Sequence, residues 1–262
     1  MGAGRSRERD SGVITSRANS HVKAARALGE AKERKRTGLF VDEGEDALRA
    51  ALAAGIAPVE AFVDDDLGSD RIADELAAAG TRVLRCSADV MGTLSSLSHA
   101  SRAVGVLRAN DLPPLVAGSP ASAVGLLLYG VSDPGNLGTL LRSAQGFGPA
   151  HVALAEGSAD PLSPRAVRAS MGALYTVPVI TLGEAPQLPV IALDARGERT
   201  LAELAPAAPV AFALGGERTG LPPEVTAAAG EVARIPLAEG AESLNVAIAG
   251  ALALYELRRS QM

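Results

Sequence analysis

The alternation of apolar and polar positions predicts a helix over residues 19–36, an apolar pair at Phe40 and Val41, and a second helix over residues 45–54. Ala61, Phe62 and Val63 read as a short strand, residues 70–79 as a helix closed by Gly80, and residues 82–85 and 104–107 as two further strands. Short strands alternating with helices indicate a small α/β domain over residues 1–108, its first part a basic arm. Asp111-Leu112-Pro113-Pro114 and the Gly/Ser/Pro stretch over residues 118–122 then read as a linker over residues 109–122.

A second domain follows over residues 123–262. It opens with the continuous apolar run Val124-Gly125-Leu126-Leu127-Leu128-Tyr129, a Gly-bearing loop, a helix over residues 136–146 and a strand over residues 151–155. Later strands are predicted over residues 177–181, 190–192, 210–214 and 233–236, with a last helix over residues 243–259. Continuous apolar strands separated by helices imply a parallel sheet covered on both faces, where ligands collect at the carboxyl ends of strands. The loops after those strands are therefore the places to look for chemistry.

Composition narrows the possible chemistry. Apolar residues are 47% and charged residues 21% of the 262, enough for a sizeable core. Aromatics are 3% with no Trp, so nucleic-acid binding here would rest on charge rather than on stacking. A single cysteine, Cys86, and three scattered histidines (His21, His99, His151) offer no disulfide and no metal-ligand spacing, so no metal is expected. No apolar run reaches the roughly 18–20 residues that span a bilayer, and the start is polar, which points to a cytoplasmic protein without a membrane partner. The net charge of −5 conceals a segmental asymmetry, with +6 over residues 1–40 and −11 over the rest. Local charge is what a phosphate backbone feels within a Debye length of about 10 Å, so Arg17, Lys23, Arg34, Lys35 and Arg36 are candidate RNA contacts, a solvated helix face being the plainer reading.

Three strand-end loops stand out. In the first, Ser132-Asp133-Pro134-Gly135-Asn136-Leu137-Gly138, Asn136 sits at a cap-like position, and Arg142 lies six residues on, turned well away around the helix. The second, Leu214-Gly215-Gly216-Glu217-Arg218-Thr219-Gly220, carries glycines that would let backbone approach a ligand, although a plain turn would look the same. The third joins Ile235-Pro236-Leu237 to Ser243-Leu244-Asn245-Val246, where Ser243 and Asn245 could each cap the last helix. No GxGxxG follows a strand, no GxxxxGK[ST] occurs and no GxSxG elbow is present, which disfavours an ordinary dinucleotide fold, a phosphate loop and a serine hydrolase.

Taken together the loops resemble the SpoU (TrmH) family of RNA ribose 2′-O-methyltransferases, within the SPOUT knotted superfamily. Asp133-Pro134-Gly135-Asn136-Leu137-Gly138 with Arg142, Ala144 and Gly148 is similar to the family's first motif, and Ser170-Met171-Gly172-Ala173 to its intermediate segment. Leu214-Gly215-Gly216-Glu217-Arg218-Thr219-Gly220-Leu221 resembles the second motif, and Ile235-Pro236-Leu237 with Ser243-Leu244-Asn245-Val246-Ala247 the third. The stretch Gly38-Leu39-Phe40-Val41-Asp42-Glu43-Gly44-Glu45 looks like the family's small substrate-binding domain. Where many members place Thr-Pro-Gln-Gly, here stands His99-Ala100-Ser101-Arg102, so the resemblance carries no target nucleotide.

The resemblance implies an α/β protein whose C-terminal parallel sheet ends in a deep trefoil knot, an exception to the rule that chains do not thread loops. It implies S-adenosyl-L-methionine as cofactor, held by Leu214, Gly215, Gly216, Glu217, Ile235, Pro236, Leu237, Ser243, Leu244 and Asn245. It also implies a homodimer through the C-terminal domain, its apolar face including Leu137, Leu140, Leu141 and the last helix. The implied catalytic group is Arg142, Asn136, Glu217, Ser243 and Asn245, with Arg142 also touching RNA. A guanidinium holds its proton tightly and is a poor base, so Arg142 is expected to hold a substrate phosphate that takes the proton. The expected substrate is 23S ribosomal RNA; a tRNA 2′-O-methyltransferase, a base-methylating knotted enzyme and a non-catalytic knotted RNA-binding protein are the alternatives. The Ala/Gly/Arg-rich composition is compatible with an antibiotic producer, in which such methylation can confer resistance.

Overall fold

The computed structural model describes residues 12–65, 70–95, 100–241 and 243–261; Arg5, Arg7 and Arg9 of the basic arm, His99 and Glu242 lie outside them. The first domain runs α1 (Ser20–Ala27), α2 (Ala31–Thr37), β1 (Leu39–Glu43), α3 (Glu45–Ala53), β2 (Glu60–Asp64), α4 (Asp70–Ala78), β3 (Arg82–Cys86), α5 (Ala88–Leu94) and β4 (Ala103–Arg108). Its sheet has the order β1-β4-β2-β3, antiparallel except for the β2–β3 pair.

The helix expected over residues 19–36 is two helices. Asn19 caps α1, accepting from the His21 N–H at 2.9 Å, and the chain turns at Leu28 and Gly29 so that Leu28 is buried. The carbonyls freed at this break are taken by Arg34, whose Nη1 donates to Leu28 O and Gly29 O, each at 2.8 Å. Helical periodicity does not register such a break, because one buried arginine supplies the hydrogen bonds that a continuous helix would have made.

The second domain runs β5 (Val124–Tyr129), α6 (Pro134–Phe147), β6 (His151–Leu154), α7 (Pro164–Ser170), β7 (Val179–Thr181), β8 (Val190–Leu193), β9 (Arg199–Thr200), α8 (Leu201–Leu204), β10 (Val210–Gly215), α9 (Pro223–Ala228), β11 (Glu231–Arg234) and α10 (Val246–Arg259). Seven strands in the order β7-β6-β5-β10-β8-β11-β9 form a sheet in which every pair is parallel. Helices α5, α7 and α8 and the two-residue strand β9 were not predicted from the sequence pattern; they are short, and their apolar positions are too few to define a period. His151, fully buried, holds the preceding segment to the sheet through Nδ1, 2.7 Å from Ala121 O, and burial keeps its pKa below the ordinary value.

Leu137, Leu140, Leu141 and Ala144 of α6 are fully buried in the chain's own core, so they do not form the expected apolar dimer face. Their i, i+3, i+4, i+7 spacing is the stripe that a helix lays against its own sheet and neighbours. Two glycines let those neighbours close in. A Cβ on Gly138 would stand 2.5 Å from Ala169 Cβ of α7, and one on Gly250 of α10 2.3 Å from Leu140 Cδ2. Exposed large apolar residues include Ile248, Leu252 and Tyr255 along one face of α10 and Phe147, whose ring meets Tyr255 edge-on at 5.8 Å; Val116, Met171 and Leu237 are exposed elsewhere.

The two domains share a core, since Phe40, Ala51, Ile56 and Leu107 belong to the same buried cluster as the α6 leucines. Polar groups lock the junction. Arg34 is ion-paired with Asp160 at 2.7 Å, Arg168 with Glu43 at 2.9 Å, and the Tyr175 hydroxyl donates to Asp42 Oδ2 at 2.7 Å. Burial pushes the Asp42 carboxyl up from its ordinary 3.8 to about 6, against the hydrogen bond from Tyr175, which pulls it down.

Between about pH 4 and pH 6 the folded protein therefore holds a proton on Asp42 that the unfolded chain releases, so this group's contribution to stability falls as pH rises through that window. Asp42→Asn places an N–H donor where the protonated acid has its O–H and removes the dependence. The melting temperature of the Asn variant should gain on that of the unaltered protein as pH is raised from 4 to 7; parallel thermal-unfolding profiles would contradict the assignment.

Candidate active site

The carboxyl ends of β8, β10 and β11 and the start of α10 enclose a cavity of about 490 Å³. Leu193, Leu214, Leu221, Ile235, Leu237, Leu244 and Val246 give it apolar walls, and the backbone of the strand-end loops supplies polar groups. Of the residues expected to hold a cofactor, Leu214, Gly215, Gly216, Glu217, Ile235, Leu237, Ser243, Leu244 and Asn245 line this cavity. Pro236 does not. Ile235 and Leu237 line the cavity and Pro236 between them does not, so motif membership alone does not locate the wall. Sequence reasoning also missed Leu193 at the end of β8 and Asp194 and Ala195 after it, although that strand was predicted and its carboxyl end was the place to look.

A second, open cavity of about 860 Å³ adjoins the first, lined by Ser132, Asp133, Asn136, Arg165, Arg218 and Thr219 among others. Gly216, Glu217 and Asn245 belong to both linings and form their common wall. The loop glycines there serve the chain itself. A Cβ on Gly216 would come within 2.4 Å of Gly130 O, and Gly220 N donates back to Gly216 O at 2.9 Å, so the loop after β10 folds on itself and against the loop after β5.

Two side chains of this wall, Asn245 and Glu217, are joined in series through Asn136, which lines the open cavity alone. Asn245 caps α10, its Oδ1 accepting from Ala247 N at 2.9 Å and Ile248 N at 3.3 Å, and its Nδ2 donates to Asn136 Oδ1 at 3.0 Å. Asn136 Nδ2 in turn donates to Glu217 Oε1 at 2.5 Å. Asn136 is not the cap of α6; Asp133 is, accepting from Asn136 N at 2.9 Å, which leaves the Asn136 amide free for this link. Glu217 Oε2 has no protein partner among the described residues and is exposed beside both cavities. A carboxyl oxygen held in this way can accept a hydrogen bond from a hydroxyl placed in the open cavity.

Ser243 lines the first cavity and not the second, and makes no hydrogen bond to the three linked side chains. Arg142 lines neither cavity. It is exposed on the outer face of α6, about 120° around the helix from Asn136, and has no partner among the described residues.

The SpoU rRNA Methylase family profile matches residues 123–255, and the MRM3-like substrate binding domain profile matches residues 19–105. The chain belongs to the SpoU rRNA methylase family. An uncharacterised tRNA/rRNA methyltransferase of Synechocystis is 32% identical over 96% of this chain and 95% of its own length. The 23S rRNA (guanosine(2553)-2′-O)-methyltransferase RlmP of Bacillus subtilis is 28% identical over 94% and 98%. The crystal structure of an AdoMet-bound rRNA methyltransferase from Sinorhizobium meliloti superposes with a TM-score of 0.83 at 31% identity, covering 95% of this chain and 98% of that one.

Of the basic residues expected to meet RNA, Lys23 and Lys35 are exposed on α1 and α2. Arg17 is exposed but paired with Asp89, and Arg36 is exposed but paired with Glu33. Arg34 is a correction. Its side chain is 4% exposed and is spent on Asp160 and on the carbonyls that end α1, so it is a structural link between the domains and not an RNA contact. No group of three or more His, Cys, Asp or Glu among the described residues could hold a metal ion, and no helix among them is long and apolar enough to cross a membrane.

Arg34→Ala should therefore destabilise the fold by about 1–3 kcal/mol, because it strips two backbone carbonyls of their donor and leaves the half-buried Asp160 carboxylate without its ion pair. Lys35→Ala should leave stability within about 0.5 kcal/mol. Urea unfolding of both variants checks this; equal midpoints would return Arg34 to the surface.

Proposed function

We infer that this protein transfers a methyl group from S-adenosyl-L-methionine to a ribose 2′-hydroxyl of ribosomal RNA, of the 23S class, in the cytoplasm. The observation that carries the reading is the pair of adjoining cavities with Asn245 and Glu217 on their common wall, linked through Asn136 on the open side. Such a reaction needs a donor and an acceptor site separated by no more than a polarising group.

The first cavity fits the cofactor. Its volume of about 490 Å³ lies within the range of small-molecule sites, and its apolar walls at Leu214, Ile235, Leu237 and Leu244 suit a purine ring whose edges meet strand-end backbone. Bound there, S-adenosylmethionine supplies an electrophilic sulfonium methyl. The protein's own groups align the other partner. Glu217 Oε2 accepts the hydrogen bond of the ribose hydroxyl, and the amides of Asn245 and Asn136 hold the carboxylate so that no reorganisation is needed at the moment of transfer. Ser243 contributes to the cofactor side of the wall.

Arg142 reaches the acceptor from a second copy of the chain. Ile248, Leu252 and Tyr255 are 49%, 38% and 48% exposed at i, i+4, i+7 on α10, and with Phe147 they form an apolar stripe suited to burial in a homodimer. In that dimer the Arg142 guanidinium holds a substrate phosphate beside the hydroxyl, and as the oxygen takes the methyl group its proton passes to the Glu217 carboxylate that already accepts its hydrogen bond. The C-terminal threading that the family resemblance implies accounts for how α10 comes to lie against both α6 and β10, with Asn245 beside Asn136. Exposed Lys23 and Lys35 of the first domain extend the RNA contact.

Asn136→Ala and Arg142→Ala should each lower methyl transfer to ribosomal RNA by about 100-fold or more, and Arg142→Ala should leave S-adenosylmethionine affinity unchanged. Co-assembly of the two variants in equal amounts should restore about a quarter of normal activity, since half of the dimers are mixed and each mixed dimer has one intact site. No recovery would place Arg142 in its own chain's site and overturn the shared arrangement.

A further inference from the structure

The open cavity beside Glu217 carries two guanidinium groups that the reaction as described does not use. Arg218 follows Glu217 in the loop after β10, is exposed, and has no hydrogen bond or ion pair among the described residues. Arg165, in the first turn of α7, meets Asp133 Oδ2 at 2.9 Å through Nη2, while its Nε and Nη1 have no hydrogen-bond partner among those residues. Its guanidinium lies against Gly135 in the first turn of α6. A Cβ there would stand 3.5 Å from Arg165 Nη2 and 3.7 Å from Nε.

Arginines of the same domain that serve the fold are occupied differently. Arg234 donates to the carbonyls of Gly197 and Glu198, Arg196 holds both oxygens of Asp194, and Arg168 meets Glu43. The acidic groups of the open cavity are already engaged, Glu217 by Asn136 and Asp133 by Arg165 and the Asn136 N–H. Its lining therefore carries two carboxylates and two guanidinium groups, of which Arg218 is in no ion pair and Arg165 keeps a free edge beyond its contact with Asp133.

We propose that Arg218, with Arg165 beside it, clamps the RNA phosphodiesters that flank the acceptor ribose. The proposal rests on the reading of the open cavity as the acceptor site. A volume of about 860 Å³ exceeds what a ribose needs and admits a nucleotide with its phosphates. A planar guanidinium donates two parallel N–H bonds to a phosphate, which fixes the backbone and with it the direction of the 2′-hydroxyl beside Glu217. Contacts of this kind position the substrate without reading a base. Arg218 and Arg165 are positioning residues, set apart from Arg142 by lying in the same chain as the Glu217 they serve.

The test measures equilibrium binding of a 23S ribosomal RNA transcript across a salt series, in the presence of S-adenosylhomocysteine, together with methyl transfer. Arg218→Gln and Arg165→Gln should each weaken RNA binding by about tenfold and lower the slope of log K against log salt by about one unit, with cofactor affinity unchanged. Arg218→Lys should keep the slope, because the charge remains, while recovering only part of the affinity. An unaltered slope in the Gln variants, with normal methyl transfer by the unaltered protein, overturns the clamp, as does loss of cofactor binding in those variants. Absence of methyl transfer by the unaltered protein, with the slope still falling in the variants, would instead overturn the methyltransferase reading and leave the phosphate clamp standing.

Discussion

Two backbone N–H groups at the start of α10 take the side-chain oxygen of Asn245 and so fix which way its amide faces. Everything on the wall between the cavities follows from that. With its oxygen committed to the cap, Asn245 has only N–H to offer, so Asn136 must present its oxygen to it and its own N–H to Glu217. A carboxylate only accepts, and the series ends there with one oxygen left for a ligand. An amide network of this kind is usually ambiguous between two orientations; here a helix terminus removes the ambiguity and gives the site its polarity.

The scaffold keeps that series in register. Asn136 lies in the first turn of a helix held between α7 and α10 at distances only glycines at 138 and 250 allow, and Asn245 begins the helix on its other side. Relative movement of α6 and α10 would part the two amides, and both helices bury their apolar faces in one cluster that continues into the first domain. The junction ion pair of Arg34 and the Tyr175–Asp42 hydrogen bond act on the same unit. The charged groups at this junction therefore serve to hold the first domain at a constant orientation to the site.

The parallel sheet and the three loops at its carboxyl edge were legible in the sequence because continuous apolar runs such as residues 124–129 and 210–214 have few other readings. Most residues of the 490 Å³ cavity were legible for the same reason. Much of what sequence reasoning missed depends on contacts between distant parts of the chain, and the rest on local detail too fine for a periodicity to show. Arg34 looked like one more cation in a basic arm until Asp160, 126 positions away, claimed it. The leucines of α6 looked available for a partner until the chain's own α10 and sheet covered them. Asn136 looked like a cap, whereas Asp133 three residues earlier does that work and frees it. Arg165 was overlooked with the helix that carries it, since seven residues are too few for a period. The separation of Arg142 from Asn136 followed from helical geometry alone, and the structure places Arg142 outside both cavities of its own chain.

The central claim is that the group facing Glu217 in the open cavity is a ribose hydroxyl and not a base. Incubating the protein with ribosomal RNA and S-adenosylmethionine labelled in the methyl group, followed by alkaline hydrolysis, tests it directly, because a methylated 2′-oxygen cannot assist cleavage of the phosphodiester next to it. The account predicts that the label is recovered in an alkali-resistant dinucleotide. Label recovered in mononucleotides would mean that a base had been methylated, and would contradict it.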